Sequence, residues 1–411
     1  MGQRTNAPSF VYLDTVPAVE ELTARIAGVT ELALDTEGAS FHRFIDRIYL
    51  LQLSTRDTHA VIDPLPIGRP AGLGRLLEDP AVEEVFHDAD YDLRLLEQDY
   101  GWKIKHIFDT RIAAQLLGYT AFGLAALLER FFGVKLDKKH QRADWSMRPL
   151  TADMLDYAAQ DTRYLLELKD LMSVELDKAG RMSWAREEFA LLEGTRWADE
   201  EPGMGFLKLK GARDLDRREL AVLRELVPWR DSVAKQMDRA TFRVLGNEQL
   251  LDISRTQPQT RDALAKIKGM PRGILEQRGA DMLDAVKRAL AVSDAELPRF
   301  PKAARWDREA DFDTRVSALK TARDEAAKRL VLDPGVLCSR DRMEAVARRN
   351  PSSVDELMEV TELRRWQARE LAEAFVAALL PHRGATPPSN TPPRAPAARR
   401  ATSADASPYS D

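Results

Sequence analysis

The sequence predicts an α/β domain followed by two all-helical units, and three observations lead there. In the first 200 residues, short apolar runs of strand length precede a helical stretch. Beyond Gly205 every periodic segment has helical spacing. That second part also repeats itself: a shift of 93 residues lays Arg230 on Arg323, Ala234 on Ala327, Arg255 on Arg348, Pro258 on Pro351, Leu264 on Leu357 and Ile267 on Val360 without a gap.

The elements follow in chain order. Glu31–Glu37, ELALDTE, is a short apolar run ending in acid, and Arg47–Ser54 and His59–Asp63 are further strand candidates. Val82–His87 and Lys105–Asp109 complete five expected strands. From Thr110 the pattern turns helical, most clearly over Thr151–Met172, with Pro149 just before it and Thr151 placed to cap it. Glu201-Pro202-Gly203-Met204-Gly205 marks a boundary, and Pro298–Pro301 a linker between the repeats. From about Pro381 the chain is rich in Pro, Ala, Ser and Thr, cannot bury a core, and reads as disordered. The expected division is 1–200, 208–296, 305–381 and a tail over 382–411.

Composition sets limits. The chain has 411 residues, 44% apolar and 31% charged, enough apolar surface for packed cores in two to four domains. No apolar run is long enough to span a membrane, and MGQRTNAPSF lacks an apolar signal core. Cys338 is the only cysteine, which excludes an internal disulfide or a cysteine-based metal site and fits a reducing, cytoplasmic setting. Net charge is −5, against broad nonspecific nucleic-acid affinity. Residues 208–300 nevertheless hold 19 Lys and Arg against 14 Asp and Glu, so a local basic surface is expected.

The acids carry the chemistry. Asp35 and Glu37 are two apart on a strand, so both carboxylates leave one face and repel unless a cation lies between them. The spacing alone is weak, because it recurs at Asp199/Glu201 and Asp294/Glu296. Tyr157 and Asp161 are four apart on an otherwise apolar helical face, where a lone carboxylate is costly. Asp88, Asp90 and Asp92 cluster at a strand-to-helix junction, where aspartates also serve as caps. Asp88 and Asp90 suit capping, while Asp92 falls inside the first turn. Such hard oxygen donors suit Mg²⁺ or Mn²⁺ and can hold two ions for phosphodiester cleavage, with Tyr157 aiming the water. His87 reads as a strand-end histidine, and six histidines without paired spacing give no zinc site.

LALDTEG, FHDADYDLRLL and YAAQDT resemble the three motifs of the DEDD exonuclease superfamily, tyrosine subtype, and most closely the ribonuclease D family. IYLLQLS, IFDTRIAAQLLG and the stretch from Asp144 to Leu168 are also similar to that family. The resemblance implies a ribonuclease H-like exonuclease domain with a mixed sheet flanked by helices. It implies Asp35, Glu37, Asp92 and Asp161 as ligands of two metal ions and Tyr157 as their catalytic companion; the family spacing from His87 selects Asp92. The helical repeats resemble HRDC domains, through Pro228-Trp229-Arg230 and Pro258–Ile267 in the first copy, with Ala322 replacing Trp229 in the second. One departure concerns the glutamate, after which the family often has an aromatic residue: here Gly38-Ala39-Ser40 intervene before Phe41.

The resemblance therefore implies a metal-dependent 3′→5′ exoribonuclease acting on RNA, tRNA precursors above all, in the cytoplasm and with no obligate protein partner. A DNA exonuclease and a non-catalytic RNA-binding scaffold are the rivals, and five intact site residues argue against the scaffold. Thr36, Phe41 and His87 are candidate substrate contacts near the acids. Lys208, Lys210, Arg213, Arg217 and Arg218 cluster at the start of the first repeat, and Arg213, Arg217 and Arg230 are candidate phosphate contacts there.

Overall fold

A computed structural model describes residues 10–137, 139–197, 203–301 and 311–382. Asp199, Glu201 and Pro202, the last two opening the expected boundary, and the Pro-rich tail from 383 lie outside the described residues.

The sheet has six strands: β1 (Val11–Leu13), β2 (Glu31–Glu37), β3 (Leu50–Ser54), β4 (His59–Ile62), β5 (Glu83–Phe86) and β6 (Ile107–Asp109). Their order is β1-β4-β3-β2-β5-β6. β2 runs antiparallel to β3 and parallel to β5, so the sheet is mixed and β2 lies inside it. Asp35 faces Gln52 and Glu37 faces Leu50 across β3, while Ala33 faces Val85 across β5.

Three local expectations are corrected. β1 was not foreseen, because three residues are too few to show a period. The last strand is shorter than Lys105–Asp109, because His106 has a left-handed φ of 50° that interrupts extended backbone. The helix expected over Thr151–Met172 is two helices, Ala152–Arg163 and Leu165–Lys178, divided at Tyr164. Thr151 does cap the first, accepting from the Met154 amide at 3.3 Å.

One sheet face packs Leu32, Leu34, Leu53 and Phe86 against Leu93, Leu96 and Trp102. On the other face, the helix Ala152–Arg163 crosses β2, β3 and β4. Ser54 Oγ and Thr162 Oγ1, both buried, lie 2.8 Å apart and pin this helix to the sheet.

The repeat is structural. Helices Thr241–Val244, Asn247–Thr256 and Arg261–Ala265 recur 93 residues later as Pro334–Leu337, Arg340–Arg349 and Val354–Met358. The left-handed residues recur too, Asp238 with Val331 and Gln257 with Asn350. Arg230 bonds Asp231 at 3.1 Å and Asn247 at 2.9 Å. Arg323 copies this with Asp324 at 2.9 Å and the Cys338 carbonyl at 3.1 Å.

The two bundles sit differently. The first has its own core, to which Phe44 of the α/β domain adds an edge. The second shares one continuous core with the α/β domain, running from Val85 and Phe108 through Phe189 to Phe375. Trp184 and Trp366 stack across that junction at 4.7 Å and 16°. Glu188 accepts from Trp366 Nε1 at 2.8 Å, and Glu187 takes the Arg365 and Trp366 amides at 2.6 and 3.0 Å, groups at a helix start that would otherwise lack partners.

Candidate active site

Alternation along β2 sends Asp35 and Glu37 to the face covered by the helix Ala152–Arg163, whose own four-residue spacing turns Tyr157 and Asp161 toward them. Carboxylate oxygens of Asp35, Glu37 and Asp161 lie within 4.8 Å of one another. All three are half-buried and line a cavity of about 610 Å³ that also takes in Tyr157, His87, Thr36 and Phe41.

Asp92 is held differently. It lies in the first turn of the helix Asp90–Tyr100 and is only 5% exposed. Its Oδ1 accepts from the Thr36 amide at 2.9 Å and from the Thr36 hydroxyl at 2.6 Å. Thr36 points to the opposite face of β2 from the two acids, so one strand positions three of the four carboxylates. Asp88, with a left-handed φ of 71°, pairs with Arg111, and Asp90 pairs with Arg94. Neither joins the site.

The charges are unbalanced. Burial, then the nearby Asp161 carboxylate, holds Asp35 well above the usual carboxylate range. Burial followed by Asp35, Asp161 and Asp92 does the same to Glu37. Asp92 is raised by burial and by Asp35, and Asp161 is pushed up to about 7 by burial and then by Asp92. Among the described residues no basic side chain pairs with Asp35, Glu37 or Asp161. Converging oxygen donors with no counter-charge are what a hard divalent cation requires, so the donor set fits one.

The neighbours set protonation states. Burial and the acids raise the Tyr157 phenol further, so it stays a neutral hydrogen-bond donor. Burial, with Arg111, lowers His87 to about 4, leaving it neutral. Thr110 gives its proton to the Phe86 carbonyl at 3.0 Å, so His87 Nδ1, 2.9 Å from Thr110 Oγ1, is the donor and Nε2 an acceptor.

Gly38 has a local reason. A Cβ there would collide with the Tyr91 hydroxyl and come within 2.9 Å of Asp46 Oδ1, which explains why no side chain follows Glu37. Tyr91 also lines the cavity, as do Arg142 and Trp145, none of them singled out by sequence. Gln52, cross-strand from Asp35, is fully buried, and among the described residues neither of its side-chain amide atoms has a partner.

The expected phosphate contacts in the first bundle are placed elsewhere. Arg230 is 8% exposed and committed to Asp231 and Asn247 inside the bundle. Arg217 donates to the carbonyls of Asp294 and Leu297, and Arg218 to those of Ala289, Leu290 and Val292. Carbonyls at a helix end lack partners, and Arg218 supplies one at the end of the helix Arg272–Ala291. Arg213 is exposed but lies over the Phe300 ring at 4.9 Å, and none of these four arginines lines the acidic cavity.

A mixed sheet with two acids on an inner strand, a third on an adjoining helix, and a Tyr–Asp pair on the crossing helix has the donor set of a metal-assisted hydrolase. Residues 10–177 match the family described as 3′-5′ exonuclease, and residues 219–286 and 313–379 match the HRDC domain. Ribonuclease D of Nitrobacter hamburgensis is 30% identical over 370 residues, 89% of this chain and 94% of that protein. Ribonuclease D of Gluconacetobacter diazotrophicus is 33% identical over 305 residues, covering 73% and 77%. The crystal structure of Escherichia coli RNase D, an exoribonuclease involved in structured RNA processing, superposes with a TM-score of 0.71 at 26% identity over 91% of this chain and 99% of that one. The chain belongs to the ribonuclease D family of 3′→5′ exoribonucleases. That membership implies use of a divalent metal, which the acidic cluster fits. Among the described residues no helix is long and apolar enough to cross a membrane.

Proposed function

We propose that the chain shortens RNA from the 3′ end, releasing nucleoside 5′-monophosphates, with two divalent ions, Mg²⁺ or Mn²⁺, held by Asp35, Glu37, Asp92 and Asp161. The observation that carries this reading is the group of three carboxylates within 4.8 Å, beside a fourth, with no basic partner among the described residues. When bound, the ions neutralise the phosphate and lower the pKa of the attacking water. Asp35 and Glu37 are fixed by the sheet, and Asp92 by its two bonds from Thr36. Tyr157, neutral and at the cavity wall, donates a hydrogen bond that orients the water. His87 contributes an uncharged acceptor.

The substrates are RNAs with 3′ extensions, tRNA precursors foremost. Support comes from the similar Escherichia coli enzyme, described as acting in structured RNA processing. The enzyme works in the cytoplasm without an obligate protein partner. Its working units are an exonuclease domain over 1–200, HRDC units over 208–296 and 305–381, and a tail over 382–411.

The test is purified protein with Mg²⁺ on matched RNA and DNA oligonucleotides labelled at the 5′ end. A ladder shrinking from the 3′ end on RNA, absent with EDTA, is expected. Internal cuts, or equal turnover of DNA, would refute the reading.

A further inference from the structure

The loop after Glu37 reaches the first bundle at the mouth of the acidic cavity. The Ala240 amide donates to the His42 carbonyl at 3.1 Å, and Arg243 Nε to the Phe41 carbonyl at 2.7 Å. These bonds place the Phe41 and Phe242 rings 5.0 Å apart at 52°, and both rings remain open, 41% and 47% exposed. Two guanidiniums flank them. Arg243 lies 4.9 Å from the Phe41 ring and 5.9 Å from the Phe242 ring, and Arg142 lies 5.8 Å from Phe41. Phe41 and Arg142 also line the cavity that holds Asp35.

Two large aromatic rings left in water are unexpected at a domain junction, because either could have been buried there. Paired, half-exposed rings with guanidiniums lying over them match a single-stranded nucleic acid: bases stack on aromatic rings and on guanidinium planes alike, and the phosphates meet the guanidinium charge. On the exonuclease reading the cavity takes the 3′-terminal nucleotide, and Phe41 and Arg142 offer one wall for the chain on its 5′ side to follow.

We propose that Phe41 and Phe242, flanked by Arg142 and Arg243, form a stacking platform shared by the exonuclease domain and the first helical bundle, which grips unpaired RNA nucleotides on the 5′ side of the scissile bond. The proposal rests on the exonuclease reading and names how that site holds its substrate. It makes the first bundle part of the substrate path through its Phe242–Arg243 edge, and it gives preference to 3′ ends with several unpaired nucleotides over dinucleotides.

The experiment uses the full chain with Phe242→Ala, and Phe242→Trp as the variant that keeps a ring. Binding of a labelled RNA hexamer is measured in an Asp161→Asn background, and turnover of hexamer and dinucleotide in the active background. One lost stacked base should weaken hexamer binding and raise its KM by roughly 5- to 150-fold. Dinucleotide turnover and hexamer kcat should stay within about twofold, and Phe242→Trp should restore affinity. Unchanged hexamer binding in a folded Phe242→Ala protein would overturn the platform, as would an equal loss on the dinucleotide. If no RNA is hydrolysed by the parent, the exonuclease reading fails, yet the binding arm still decides the platform. Phe41→Ala in the same binding assay provides the second variant should Phe242→Ala misfold.

Discussion

Replacing Asp161 by Asn should stabilise the metal-free protein while removing its activity. Asp161 is raised from 3.8 to about 7 by burial and by Asp92. An acid whose folded value lies above its unfolded one destabilises the fold as pH rises between the two, here from about 4 to about 7. Above that window the displacement amounts to about 4 kcal/mol if Asp161 titrates alone. The cavity is open to solvent and the acids titrate together, so roughly 2 kcal/mol is the expected gain for Asp161→Asn at pH 8. At pH 4 the wild-type side chain is largely protonated in the fold, and the difference should shrink toward zero. Chemical or thermal unfolding in EDTA at pH 4, 6 and 8 measures this directly. Mg²⁺ should reverse the order, because a wild-type site at a hundredfold excess over Kd gains about 2.7 kcal/mol and the variant less. Turnover at saturating Mg²⁺ should fall by more than the roughly 10²–10⁴-fold expected for loss of a positioning group, with RNA binding largely kept. A variant less stable than wild type at pH 8 in EDTA, or a pH-independent difference, would refute the view of these acids as an unbalanced cluster.

Three further outcomes follow from the same geometry. Tyr157→Phe should slow hydrolysis by roughly 10²–10⁴-fold, less than loss of an acid, because the phenol only positions water; a loss as deep as that of Asp35→Asn, in single-turnover kinetics, would give it a larger role. The Glu84 carboxyl is fully buried, has no hydrogen-bond partner among the described residues and is raised well above the usual carboxylate range by burial, so Glu84→Leu should stabilise the protein by about 1–3 kcal/mol at pH 8 and by less near pH 4, as read by denaturant titration. Trp366→Ala empties the stack on Trp184 and strands Glu188, so it should cost about 3–5 kcal/mol and destabilise the exonuclease domain with the second bundle; separate unfolding transitions would contradict the shared core.

The parts of the site that share one element were legible. Asp35 and Glu37 show through the two-residue period of a strand, and Tyr157 and Asp161 through the four-residue spacing of a helix. Choosing Asp92 over Asp88 and Asp90 needed the family motif, because all three suit a helix start. Thr36, a candidate substrate contact by sequence, also holds Asp92 through its hydroxyl and amide. That tie joins positions 56 apart, and no local period records it. Phe41 against Phe242 and Trp184 against Trp366 are hidden for the same reason. The cluster around Arg217 has a structural use that the sequence does not show. A run of cations resembles a phosphate-binding face, and two of its arginines, Arg217 and Arg218, bond carbonyls between Ala289 and Leu297, which only the folded bundle brings near. The repeat was the opposite case. A constant shift of 93 residues survives folding because each copy rebuilds the same turns, down to the left-handed Gln257 and Asn350.

The central claim is that four carboxylates, from β2 and two helices, hold two divalent ions. Equilibrium binding of Mn²⁺ in the presence of a nucleoside 5′-monophosphate, followed by the electron paramagnetic resonance of free Mn²⁺, counts those ions without relying on turnover. The account predicts two ions per wild-type chain and fewer in both Asp161→Asn and Asp92→Asn. Two ions retained in both variants, or none bound by the wild type, would contradict it.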